Sequence, residues 1–150
     1  MSFNHLKLKV LSVLVAVMLS TTIMAATPFP GKLPATIVKI KAAHIIHVNI
    51  ETWPGFRRDF RVTLPNLVLP GQGEEVKECE LVLAQQAYDF AFNFLSNATT
   101  VHVKDMQMTD SASLDAISSI YTNNGTLDNA LRREKLAKLA TSTHDESWCE

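Results

Sequence analysis

Apolar and polar positions alternate along the chain from residue 35, and changes in their period mark the elements. Ala35 to Lys41 and His44 to Glu51 are rich in β-branched residues, alternate in part, and are separated by two residues. That pattern predicts a β-hairpin. Trp53-Pro54-Gly55 is a turn signal, and beyond it Phe60, Val62 and Leu64 fall on one face with Arg57, Asp59, Arg61 and Thr63 on the other. This predicts a third strand buried on one side. Pro65, Pro70, Gly71 and Gly73 mark a loop. From Glu74 the period changes: Val76, Cys79, Leu83, Ala87, Phe90 and Phe94 recur at mainly helical spacing. They predict an amphipathic helix reaching about Ser96, with acidic residues in its first turn where the helix dipole favours them. Thr99 to Lys104 alternates again, and Ala116 to Tyr121 is a short apolar run, so both are expected as strands. Helical spacing resumes from Thr126 to Leu139, with Thr126 as a suitable N-cap. Three strands, a helix, two strands and a terminal helix make a mainly β protein with α (α+β). The order is that of an OB-fold, a five-stranded Greek-key barrel, with a long helix after strand 3 and a C-terminal helix.

The amino terminus changes the setting. Lys7 and Lys9 precede an apolar run from Val10 to Met18, then small and polar residues from Leu19 to Thr27, the form of a secretory signal peptide. The apolar core is well short of the roughly 20 residues that cross a bilayer as a helix. The expected organisation is a signal peptide over 1–25, an extended lead-in over 26–34 favoured by its prolines, and a folded domain over 35–150. Cleavage after Ala25 or Ala26 fits. The protein is expected to be exported, periplasmic or secreted, with no stable membrane insertion after signal removal. Two cysteines, Cys79 and Cys149, in an exported chain are expected to form one disulfide; the alternative is two unpaired thiols. The chain carries 14 basic and 15 acidic residues, and loss of Lys7 and Lys9 with the signal leaves 12 against 15, a net charge of −3. A strongly basic nucleic-acid glove is not indicated.

Several segments together resemble the thermonuclease, or staphylococcal-nuclease-like, family: the Trp53-Pro54-Gly55 turn, the strand into the Pro70 loop, the helix with Cys79-Glu80 and Leu83-Ala84, the Leu127 to Ala137 helix, and the closing Trp148-Cys149. The resemblance implies a nuclease-like OB barrel, and members with a similar cysteine pair are exported bacterial proteins. Enzymes of the family cleave phosphodiester bonds with carboxylate-held calcium, a glutamate that activates water, and two arginines that neutralise phosphate. Calcium requires hard oxygen ligands, the water a positioned base, and the charged transition state cationic donors.

At the corresponding positions this chain departs from the family. Where an Ile-Asp-Gly-Asp-Thr-like turn should join the first two strands it has Ile40-Lys-Ala-Ala-His-Ile45. Thr63 stands for the first arginine, Val68 for a metal-binding aspartate, Gly71 for the glutamate base, and Ala112-Ser113 for the turn with the second arginine. The alignment therefore assigns no catalytic residue and no metal ligand, and no cofactor is expected. Joint loss of the base, the cations and the metal site, each worth about 100-fold or more, implies negligible activity by the family mechanism.

Other residues offer little replacement chemistry. His44 and His47 are three apart on a strand, on opposite faces, which defeats a two-His chelate; His102 and His144 add no ligand spacing. Arg57, Arg58 and Arg61 form a basic cluster that is a candidate phosphate or partner contact, against a solvated strand face compensated in part by Asp59 and Glu51. Glu74 and Glu75 are explained by the helix dipole. The Asn97 and Asn124 sequons read as a helix-end cap region and an Asn-Gly turn, and Met106 and Met108 as core or loop fillers. The expectation is an exported binding or assembly module that has lost phosphodiester hydrolysis, with an unknown protein partner favoured over weak single-stranded nucleic-acid binding. The alternative is a metal-dependent nuclease acting on DNA or RNA through a rebuilt site that depends on Arg61.

Overall fold

Strand β1 (Phe29–Ala42) serves two neighbours. Its first half pairs antiparallel with β5 (Val101–Met108), setting Leu33 opposite Val103, and its second half pairs with β2 (Ile45–Trp53), setting Ile40 opposite Ile46. Register shifts between Ile37 and Lys39 and between Ile40 and Ala42 bend the strand from one partner to the other. β2 turns at Pro54-Gly55 into β3 (Phe56–Thr63), which pairs in parallel with β6 (Asp115–Ile117). β6 in turn pairs antiparallel with β5. The neighbour order β1-β2-β3-β6-β5, with β5 returning to β1, is a closed five-stranded barrel compatible with an OB-fold. Closure pairs the edges of these strands around the barrel, while β3 from Phe56 to Phe60 extends beyond its pairing with β6. Short strands β7 (Ile120–Thr122) and β8 (Gly125–Thr126) extend the sheet from β5. The pair β4 (Leu67–Val68) and β9 (Lys138–Leu139) forms a second small sheet.

This computed structural model describes residues 29–73, 75–109, 113–141 and 147–149. The expected signal segment, the start of the lead-in, Glu74, Ala112 and His144 lie outside the described residues.

The strand period builds the core. Ile46, Val48 and Ile50 of β2 have no solvent exposure and alternate with outward His47, Asn49 and Glu51. Phe60 and Val62 of β3, Val103 and Met106 of β5, and Ile120 complete the interior, each large side chain contributing about 1.5–3 kcal/mol by burial. Helix α1 (Glu78–Ser96) buries Ala87, Ala91 and Leu95 against this core. Its small alanines bring the helix backbone close to the barrel. Leu83, Phe90 and Phe94, expected on the buried stripe, flank it half-buried.

Four boundaries differ from the sequence pattern. The stretch 29–34, expected as an extended lead-in before a domain starting at Ala35, is extended and already belongs to the barrel, as the part of β1 paired with β5. The helix expected from Glu74 starts at Glu78, since the preceding segment folds back so that Gly71 lies against Ala84. The apolar run Ala116 to Tyr121 is two strands, not one. Buried Ser118 interrupts it, its single hydroxyl proton shared between the carbonyls of Lys104 and Ser119, each 3.0 Å away, while its backbone N–H donates to Thr63 O at 3.2 Å. The terminal helix α2 (Leu127–Arg133) stops well short of Leu139. Lys135 takes a φ of +59°, and the bonds Leu136 N–H to Leu131 O and Lys135 N–H to Arg132 O close a Schellman turn. That reversal delivers Lys138 and Leu139 to β4. Thr126 has the extended backbone of an N-cap but makes no side-chain cap bond.

Cys79, in the first turn of α1, is disulfide-bonded to Cys149, with Cα atoms 6.1 Å apart and a sequence separation of 70. Beside the bridge the Trp148 ring carries Lys138 Nζ 4.4 Å from its centroid.

Candidate functional site

The turn between β1 and β2 and the loop after β4 meet under α1. They enclose a pocket of about 530 Å³ lined by Lys41 to His44, Leu69 to Gln72, and Leu81, Ala84, Gln85 and Tyr88 of the helix. Ala43 at the turn is buried, and His44 O accepts the backbone N–H of Leu64 at 2.9 Å, which anchors the turn to the end of β3.

His44 is fixed by a short relay. Leu69 N–H donates to Gln72 Oε1 at 3.3 Å, leaving the Gln72 amide nitrogen to donate to His44 Nε2 at 3.1 Å. With Nε2 an acceptor, the ring proton of neutral His44 sits on Nδ1. Nδ1 is buried without a hydrogen-bond partner among the described residues. Desolvation holds the His44 pKa below the ordinary imidazole value, because burial disfavours the imidazolium.

Gly71 forms the other wall. Its φ of +76° is in the left-handed region that favours glycine, its N–H donates to Glu80 Oε2 at 3.3 Å, and a Cβ placed on it would lie 3.3 Å from the Ala84 Cβ. A side chain at this position would be strained in backbone and would press on α1.

The positions singled out by the sequence do not converge. Gly71 lines the pocket, but Thr63, Val68 and Ser113 do not. Thr63 ends β3 opposite Ile45 and Ile117, Val68 pairs with Lys138 in the small sheet, and Ser113 Oγ lies 3.3 Å from Thr109 Oγ1 in the approach to β6. The basic cluster is spread along β3. Arg61 pairs with Asp115 across the parallel ladder, Nε to Oδ1 at 3.3 Å, with both side chains more than 40% exposed, a geometry worth about 0–1 kcal/mol. Arg57 donates to Asn49 Oδ1 at 2.6 Å and to Thr36 Oγ1 at 3.3 Å, and the Arg58 guanidinium lies 5.1 Å from the Phe56 ring centroid. Asp59 and Glu51, expected to compensate these arginines in part, accept from Asn49 Nδ2 and Gly55 N–H, and Glu51 lies opposite Arg57 in the β2–β3 register. His47, on the outer face of β2, has its Nε2 buried without a partner among the described residues.

Calcium does not fit this pocket. The ion gains affinity from several anionic oxygens, and the lining residues offer amides, a phenol, an imidazole and the cation of Lys41. Among the described residues no group of three or more His, Cys, Asp or Glu side chains stands close enough to hold a metal ion. The arrangement suits ligand binding: an apolar wall of Leu69, Pro70, Leu81 and Ala84 faces a few polar groups and the single cation of Lys41. Sequence reasoning had located the turn and Gly71 but missed Gln72, Gln85 and Tyr88. Gln85 and Tyr88 lie off the apolar stripe by which the helix was recognised.

The protein is thus a closed five-stranded barrel of mainly β structure, with a pocket where a helix crosses one barrel turn. Neither a protein-family model nor a curated protein sequence matches the chain.

Proposed function

We propose that this chain is an exported, nuclease-like OB-fold protein that does not hydrolyse phosphodiesters and acts as a binding or assembly module. The observation that carries this reading is Gly71. It occupies the position that the thermonuclease resemblance assigns to the base, yet its +76° φ and the Ala84 methyl at 3.3 Å leave no unstrained place for a glutamate. The turn opposite, Lys41 to His44, contains no carboxylate. A largely apolar pocket favours a protein segment over a polyanion as the occupant, as does the net charge of −3 expected after signal removal. The disulfide is compatible with export.

The deciding measurement is cleavage of single-stranded DNA and RNA by the purified protein, with millimolar calcium and with chelator, beside an active nuclease of the resembled family. No cleavage is expected where the control digests fully. Calcium-dependent cleavage that disappears in an Arg61→Ala variant would overturn the proposal and mean that a site had been rebuilt around the Arg61 and Asp115 pair. For any partner then found, modest salt dependence is expected, since phosphate contacts weaken steeply with added salt.

A further inference from the structure

The side-chain amide of Gln72 serves two contacts that demand different atoms of it. Its oxygen accepts the backbone N–H of Leu69 at 3.3 Å, which turns its nitrogen toward His44 Nε2 at 3.1 Å. An amide nitrogen only donates, so the ring nitrogen must accept. These roles close only around a neutral imidazole. An imidazolium carries protons on both nitrogens, and protonation sets Nε2–H against the Gln72 NH2. Turning the amide over satisfies the ring and moves the conflict to Leu69, whose N–H then faces a donor. Leu69 is 5% exposed, so water has little access to replace the lost acceptor.

The contact also joins two elements. Among the described residues no other hydrogen bond links the Leu69 to Gln72 loop to the β1–β2 turn, whereas Gly71 N–H holds the same loop to α1 through Glu80. Breaking the Gln72–His44 bond frees one side of the loop and leaves the other attached. The surroundings of the ring offer no substitute. The turn brings Lys41, α1 brings Tyr88, and the loop brings no titratable side chain; no carboxylate pairs with His44 among the described residues. Nδ1 is buried without a partner among them, and burial disfavours the imidazolium. We infer that the His44–Gln72 contact is an acid-released latch on the pocket: protonation of His44 reverses or frees the Gln72 amide, and the Leu69 to Gln72 wall parts from the β1–β2 turn. Such a latch acts whatever occupant the pocket takes and is independent of the proposed loss of hydrolysis.

The test is NMR of the isotope-labelled full chain, from about pH 7.5 down through the His44 midpoint. The Leu69 N–H and Gln72 NH2 resonances should move with the same midpoint as the His44 ring. Hydrogen-exchange protection of the Leu69 N–H should fall about 5-fold, as for the loss of one hydrogen bond. In His44→Gln both responses should vanish. Gln72→Glu should invert the latch, because a carboxylate accepts from Leu69 N–H and from an imidazolium alike. The His44 midpoint should then rise, with proton binding about 10-fold tighter, and Leu69 should keep its protection on acidification. Leu69 and Gln72 resonances that stay still while His44 titrates would overturn the latch. So would an acid response that persists in His44→Gln, or a Gln72→Glu chain that loses Leu69 protection as the wild type does. Circular dichroism checks that both variants retain the barrel.

Discussion

Strand β2 ends in two turns that share a topology and have opposite fates. The Ala43-His44 turn is covered by α1 and the Leu69 to Gln72 loop, with Ala43 only 3% exposed. The Pro54-Gly55 turn stands clear of the barrel with Trp53 at its shoulder. The covered turn consists of small or neutral residues that tolerate desolvation, and the free turn carries the aromatic and cationic side chains. Location relative to the helix therefore separates a place where substitutions should disturb stability from one where they should leave the fold intact.

The largest effect should come from the clasp that holds the helix start at the covered end. Replacing Cys149 by Ser removes a bridge spanning 70 residues, for which the chain-entropy relation gives about 4 kcal/mol. Urea denaturation should show most of this loss, and a midpoint equal to that of the disulfide-bonded protein would deny the clasp a stabilising role.

Next is Gly71→Glu, which reinstates the residue type of the resembled enzymes. Left-handed backbone strain and pressure on Ala84 together predict about 3 kcal/mol of destabilisation, with no calcium-dependent cleavage gained. A stable variant that cleaves DNA would erase the distinction between the two turns.

A smaller effect should follow pH at His44. Its folded-state pKa lies below the unfolded value of 6.5, so below about pH 6.5 the unfolded chain binds more protons and stability falls with acidification. The decline should level off once pH passes the lowered folded-state pKa. Urea midpoints measured from pH 7.5 downward should show this component in the wild type and lack it in His44→Gln; parallel profiles would exclude it.

Smallest is the free turn. Trp53→Ala and Phe56→Ala should each change stability by no more than about 0.5 kcal/mol, as expected of exposed positions. A loss of 2 kcal/mol or more in either variant would mean that the tip is packed in solution.

Much of the barrel was legible because burial on one face writes a period of two into β2 and β3, and Ile46, Val48, Ile50, Phe60 and Val62 all point inward as the pattern required. The failures have local causes. Ser118 reads as a polar interruption until its hydroxyl is seen bridging two backbone carbonyls. Lys135 gives no glycine signal for the end of α2, although its backbone supplies the required left-handed turn. The prolines before residue 35 favour an extended lead-in outside the packed domain, yet antiparallel pairing with β5 needs only some of the backbone groups on that edge. Of the candidate site, the sequence located the altered turn and Gly71 but not the groups that surround them.

By itself the sequence determined which faces are apolar, where the main reversals fall, and which residue types stand at the positions that the resemblance makes catalytic. Those properties are local, set by side-chain chemistry and the fixed periods of strand and helix. Only the tertiary structure decided that β1 divides between two partners, that Arg61 meets Asp115, that Gln72 orders the His44 imidazole, and that one turn of β2 is covered while the other is free. These depend on contacts between residues distant in the chain, and a one-dimensional pattern contains no record of which surfaces closure of the barrel brings together.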